Sequence, residues 1–248
     1  MAGEPGSLQT EVESRIGARI ADIFAASPDP VDVRLATFPR YVRRAQITRF
    51  LALYELFKLV LPVKGSVVEC GVFRGFSFMT WAKLSAVLEP SNLTRRIYGF
   101  DSFEGFPSVS SADEPTRTGV GTGTLHADSE KELRQLIEVY DDDRFLGHLQ
   151  KAVLVAGDLR ETLPAFLDEH PHLVVSLLYL DADLFEPTKL ALELLHPRMP
   201  KGAVVAFDEL DNPTWPGETR ALLDTLGING LSLQRFEFDP YIAYARIP

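Results

Sequence analysis

The amino-acid sequence predicts an α/β fold, a parallel sheet covered by helices on both faces and closed by one antiparallel hairpin. Three observations carry that expectation. From Gly65 onward, short apolar runs alternate with amphipathic stretches, the order of strand and helix that builds a parallel sheet. The runs are continuously apolar, as strands buried on both faces are. The last two runs are separated by Asp239-Pro240, a turn pair that makes them an antiparallel hairpin.

In chain order, Thr10 and Glu13 stand at capping-box spacing and start a helix. Val12, Ile16, Ile20, Ile23 and Phe24 carry its apolar face, and the two prolines between Ser27 and Asp32 end it. A second helix spans Arg43 to Val60, with Phe50, Leu53, Tyr54, Phe57 and Leu61 on one face and Pro62 and Gly65 as stops. Strands are expected at Ser66–Gly71, Ile97–Asp101, Ala152–Ala156, Val174–Asp181 and Ala203–Asp208. Helices are expected at Ser77–Leu88, Ser129–Tyr140, Arg160–Glu169, Pro187–Leu195 and Gly217–Leu226. The closing strands are Leu231–Phe238 and Tyr241–Arg246. The pattern-poor stretch from Phe103 to Ala127 reads as an active-site lid or a disordered loop. The simplest organisation is a helical extension over residues 1–64 ahead of one core domain over residues 65–248.

The chain has 248 residues, 46% of them hydrophobic and 24% charged, and a net charge of −10. Those proportions exclude a disordered chain, and the acidic balance argues against nucleic acid or an anionic membrane as the main partner. Cys70 is the only cysteine, so no internal disulfide forms, and its place inside a strand favours a core thiol over a nucleophile. Met1 to Gln9 lack a signal pattern, and no apolar run approaches the ~20 residues needed to cross a bilayer. A cytoplasmic protein is expected.

Ligands of open parallel sheets bind beyond the carboxyl ends of the strands. In this chain those ends are acidic: Glu69, Asp101, Asp158, Asp181 with Asp183, and Asp208 with Glu209. In VECGVFRG, Gly71 and Gly75 do not form a dinucleotide fingerprint, and Glu69 repels a pyrophosphate but suits a cationic ligand. Asp101 is placed to accept hydrogen bonds from ribose hydroxyls. Asp158 either caps a helix or accepts from an adenine amino group. Together these describe an adenosine-bearing ligand with a positive centre and no phosphate, which S-adenosylmethionine is. Asp181, Asp208 and Glu209 either cap helices or face solvent, or else they converge from adjacent strand ends. Convergence without lysine or arginine calls for a hard divalent cation, Mg²⁺, Mn²⁺ or Ca²⁺. Trp215 reads equally as packing or as part of an acceptor site.

Four motifs in order, VECGVFRG, YGFDSFEGFP, LYLDADLFEPT and AFDELDNPTWPGET, resemble the macrocin O-methyltransferase family, which includes sugar methyltransferases of the mycinamicin and novobiocin antibiotic pathways. The likeness runs from about Phe38 to Arg246. It implies a Rossmann-like class I methyltransferase sheet of seven strands with an antiparallel last strand, and a Mg²⁺-dependent methyl transfer from S-adenosylmethionine to a sugar hydroxyl. The acceptor would be a nucleotide-linked deoxysugar, a glycosylated natural product or a polysaccharide sugar. By motif, Glu69, Gly71, Ser77, Asp101, Ser102, Asp158 and Asp181 look like cofactor-binding positions. Asp181, Asp208 and Glu209 look like metal ligands, although family members often carry two aspartates where this chain has Asp208-Glu209. Asp183 matches the general base, with Asp181 beside it in the catalytic pair. The segment around Phe38, Tyr41 and Arg43 resembles the part that closes over the site, and a homo-oligomer is expected. Two other readings stand beside this one. Asp181-Ala182-Asp183 is also the D-x-D of a metal-dependent glycosyltransferase, and a catechol-type O-methyltransferase shares the cofactor and the metal.

Overall fold

The structure is a computed structural model and describes residues 10–114 and 121–248. The signal-pattern reading of Met1–Gln9 and the middle of the expected lid, residues 115–120, lie outside the described residues. The chain divides into two compact units, residues 1–51 and 52–248.

In the first unit, α1 (Glu11–Ala26) starts at the expected capping box: the Thr10 hydroxyl accepts from Glu13 N–H at 3.2 Å, and Thr10 N–H donates to the Glu13 carboxylate at 2.8 Å. The sequence reading missed α2 (Val31–Ala36). Six residues bounded by prolines are too short to show a helical period. Phe24 and Tyr41 meet edge to face at 4.9 Å, and the Arg34 guanidinium lies over the Phe24 ring.

Helix α3 (Arg44–Val60) runs from the first unit into the second. Its buried residues are Ala52, Leu53, Leu56, Phe57 and Val60, whereas Phe50, expected on the buried face, is 38% exposed. The second unit then alternates as anticipated: β1 (Ser66–Cys70), α4 (Phe76–Leu88), β2 (Ile97–Asp101), α5 (Glu130–Asp143), β3 (Ala152–Ala156), α6 (Leu159–Glu169), β4 (Val175–Leu180), α7 (Phe185–Leu195), β5 (Val204–Phe207), α8 (Gly217–Thr225), β6 (Gln234–Arg235) and β7 (Ala243–Arg246). The strand order is β3-β2-β1-β4-β5-β7-β6; the pairs from β3 to β5 are parallel, and β7 is antiparallel to both β5 and β6. This is the α/β, Rossmann-like seven-stranded sheet that the sequence led us to expect.

Side-chain alternation along the strands divides the interior into two cores. Val67, Leu177 and Tyr179 face one side, packed with Leu53, Phe57 and Trp81. Val68, Cys70, Leu178 and Leu180 face the other, packed with Leu163, Phe166, Leu192 and Leu222. At the amino edge of the sheet, the Arg95 guanidinium is 2% exposed. It donates to the carbonyls of Val60 (2.9 Å) and Val63 (3.0 Å) and pairs with Glu89 at 2.9 Å. It thus adds a second donor to Val60 O, which already accepts from Val63 N–H at 2.9 Å, and supplies one to Val63 O just past α3.

The hairpin needs one correction. The run Leu231–Phe238 was expected to be a full strand, but β6 is two exposed residues long. It is an edge strand with one neighbour, and Phe236 leaves the ladder to stack on Phe238 and Tyr244 at 5.7 and 4.9 Å. Asp239 accepts from the N–H groups of Tyr241 (2.9 Å) and Ile242 (3.0 Å), which makes the turn read from Asp239-Pro240. Among the described residues, no helix is long and apolar enough to cross a membrane.

Candidate active site

Just past the strands the ladder continues. Gly157 N–H donates to Asp101 O (2.9 Å), Gly71 N–H to Phe100 O (2.9 Å), Asp181 N–H to Cys70 O (2.9 Å) and Asp208 N–H to Leu180 O (3.0 Å). The acids read from the sequence therefore leave the sheet along one edge, on neighbouring strands ~4.8 Å apart. Strain gathers there too: Phe73, Phe103, Asp183 and Asp211 have φ of 51°, 56°, 60° and 61°. Such backbones cost about 1–3 kcal/mol each for residues with a side chain and cluster at functional sites.

Glu69, fully buried in β1, accepts from the Ser77 hydroxyl at 2.6 Å, so two expected cofactor positions are joined. Gly71, at φ +97°, passes under the next strand: an added Cβ would lie 1.9 Å from the Asp181 carbonyl oxygen. Burial, and then the charge of Glu69, push the Cys70 thiol far up, so it is an inert core group.

Asp101 has bonds that the sequence did not reveal. One carboxylate oxygen accepts from Val72 and Phe73 N–H and the other from Phe103 N–H, all at 2.7 Å. Three of about four acceptor positions of this carboxylate thus tie the loop after β1 to the end of β2. The Ser102 hydroxyl donates to Gly105 O at 2.7 Å. Asp158 is the N-cap of α6, accepting from Arg160 N–H at 2.9 Å, and the Arg160 side chain holds its pKa below the ordinary value. A cavity of about 550 Å³ opens between these exits, lined by Ser102, Gly105, Phe106, Glu130, Gly157 and Asp158.

On the other half of the edge, Asp208 is 6% exposed and accepts from the buried Tyr179 hydroxyl at 2.9 Å. The Glu209 carboxylate accepts from the Asn212 amide, and Glu209 N–H donates to Glu218 Oε2 at 3.0 Å. Glu218, in the first turn of α8, is fully buried. Its pKa is pushed well above the usual carboxylate range by burial, reinforced by the charges of Asp183, Asp208 and Glu209, so those three acids share one electrostatic neighbourhood. The sequence reading missed Glu218. It sits inside a quoted motif, but an acid in a first helical turn ordinarily faces solvent and the helix dipole. Among the described residues, no group of three or more His, Cys, Asp or Glu side chains is drawn together as a metal-binding set.

The loop expected to be a lid carries a second missed residue. Asp113, 1% exposed, accepts from Phe185 N–H at the start of α7 (2.7 Å) and from Ser110 N–H (2.8 Å). Phe106 meets Trp215 edge to face at 6.0 Å, with Leu184 beside them. Trp215 is 9% exposed and packs against Phe106.

Comparison with known proteins gives these features a context. A family profile described as Macrocin-O-methyltransferase (TylF) matches residues 48–227. A tetracenomycin-type 4'-O-methyltransferase of Streptomyces olivaceus, whose name specifies a dimethoxy-α-L-rhamnosyl acceptor, is 35% identical over 156 residues, 59% of this chain and 53% of the relative. The chain thus spans about half the length of that curated relative. The crystal structure of the calicheamicin methyltransferase CalS11 superposes with a TM-score of 0.93 at 39% identity, covering 97% of this chain and 94% of the other. An apo structure described as a TDP-rhamnose 3'-O-methyltransferase of calicheamicin biosynthesis gives 0.84 at 36% identity, covering 97% and 96%.

Proposed function

The chain belongs to the macrocin O-methyltransferase family, and from that premise we propose that it transfers a methyl group from S-adenosylmethionine to a hydroxyl of a rhamnose-like deoxysugar, assisted by a divalent cation. The observation that carries this reading is the division of one sheet edge into two adjoining halves. One half has a cavity beside Ser102 and Asp158 with the buried Glu69–Ser77 pair nearby; the other presents Asp181, Asp183, Asp208 and Glu209. The sugar follows from the relatives, two of whose names specify a rhamnosyl acceptor.

On this reading Glu69, Gly71, Ser77, Ser102 and Asp158 bind the methyl donor, and Asp101 shapes the loop that receives it. The donor set on the acidic half is all oxygen, which fits Mg²⁺, and Asp181, Asp208 and Glu209 are the residues that would hold it. Bound there, the cation supplies positive charge that makes a sugar hydroxyl easier to deprotonate. Asp183 takes the proton as the hydroxyl oxygen attacks the methyl carbon; the C–O bond forms, the C–S bond breaks, and S-adenosylhomocysteine leaves neutral at sulfur. Holding the two reactants in line supplies much of the acceleration.

The D-x-D reading as a glycosyltransferase is not favoured, because the family and the named relatives are O-methyltransferases. The test incubates the protein with S-adenosylmethionine, Mg²⁺ and a panel holding TDP-rhamnose, rhamnosyl glycosides and catechols, read by mass spectrometry. Gain of one methyl on a rhamnoside is expected. Gain on catechols alone would replace the acceptor class, and no gain on any acceptor would contradict the reading.

A further inference from the structure

We propose that Glu218 is a positioning residue: its buried carboxyl fixes the backbone at Glu209, and with it the direction in which the turn after β5 presents its acids. The inference deepens the function proposed above and rests on it only for what that turn does.

Strand pairing of β5 ends at Phe207, and the following amide, on Asp208, still donates to Leu180 O. The Glu209 amide comes one residue later and donates to Glu218 Oε2 at 3.0 Å, across nine residues of chain. The residues flanking Glu218 grip the same two loops. Thr219 Oγ1 accepts from Asp211 N–H at 2.9 Å. Gly217 is pressed against the other acidic loop: an added Cβ would lie 2.6 Å from Asp183 O and from Phe185 N, and 2.7 Å from Asp113 Oδ1. Three consecutive residues at the start of α8 thus brace the loop after β4 and the turn after β5 together.

Among the described residues the buried Glu218 Oε1 has no hydrogen-bond partner, so the contact through which this carboxyl acts is the one that Oε2 accepts from Glu209 N–H. Burial of this carboxyl beside the charges of Asp183, Asp208 and Glu209 places the brace on the acidic half of the site.

The test compares wild type with Glu218→Gln, which keeps the volume and the acceptor oxygen, and Glu218→Met, which keeps the volume and loses the acceptor. Three readouts are taken: hydrogen exchange at the Glu209 amide in metal-free protein, Mn²⁺ affinity by electron paramagnetic resonance, and kcat with KM for S-adenosylmethionine. Glu218→Met is expected to speed Glu209 exchange, weaken Mn²⁺ and lower kcat, each by about tenfold, the size of one lost buried hydrogen bond. KM for S-adenosylmethionine should stay unchanged, and Glu218→Gln should restore all three. Wild-type kcat and exchange in Glu218→Met would overturn the proposal, as would a folded Glu218→Gln as impaired as the Met variant. Should Glu218→Met not fold, the wild-type protein decides: slow exchange at Glu209 supports the brace and free exchange overturns it. If wild type binds no Mn²⁺ and methylates no acceptor, the function proposed above fails, and the exchange comparison still decides the role of Glu218.

Discussion

Asp183 combines a carboxylate with a left-handed backbone, φ 60°. Among residues with a side chain, aspartate and asparagine tolerate this conformation best, so Asp183→Asn should preserve the loop while removing the base. We expect unchanged S-adenosylmethionine affinity by calorimetry and turnover lowered at least about tenfold; near wild-type turnover would remove Asp183 from the proton transfer. Asp158 gives a residue-scale prediction for stability. Its folded pKa lies below the ordinary 3.8, chiefly through the Arg160 hydrogen bond. A depressed pKa contributes stability above 3.8 that is lost as pH falls through the lower folded value. The Arg160 side chain is half exposed, so its pairing with Asp158 adds little stability of its own, and the helix cap sets the size of the expected loss. Asp158→Ala should therefore cost about 1 kcal/mol in urea unfolding at pH 7, and the gap from wild type should narrow at acid pH. A gap that does not change with pH would contradict the linkage.

Elements were legible in proportion to their length and burial. The boundaries of β2 and β3 agree with the sequence reading because apolar runs between polar turns leave little choice of register. The two-residue β6 and the six-residue α2 were not legible: one is set by its only neighbour and the other is shorter than two helical turns. Within the site, the acids themselves could be named from the sequence, since their strand exits are periodic. Their partners could not. Asp101 binds backbone amides 28 and 29 positions away, and Asp113 caps a helix 72 positions on; such bonds are made by the fold and leave no local pattern. Arg95 is an element-scale case of the same kind, joining the end of α3 to Glu89 below the sheet. Arg95→Ala removes the cationic partner of Glu89, which keeps the Ser85 and Asn92 side chains as donors, and the side-chain donor to Val63 O, and should cost about 3 kcal/mol, read as a lower urea midpoint. A loss under about 1 kcal/mol would show that water replaces it.

At the scale of the whole molecule, the sheet is a device for lining up strand exits. Parallel pairing from β3 through β5 sends every exit to one edge; backbone amides hold Asp101 and Arg160 pairs with Asp158, whereas the acids after β4 and β5 crowd together, an arrangement that a cation would relieve. In the proposed function, one cation is the sulfonium of the methyl donor and the other a dication between neighbouring strand tips. Family membership supports the methyl transfer, and the acid chemistry of the edge motivates the metal. The most direct measurement is a crystal structure of the protein grown with Mg²⁺ and S-adenosylhomocysteine. The nucleoside should then lie in the cavity beside Ser102 and Asp158, with one ion bound by oxygens of Asp181, Asp208 and Glu209. A nucleoside in place with those three carboxylates pointing apart and no ion among them would contradict the metal-assisted transfer.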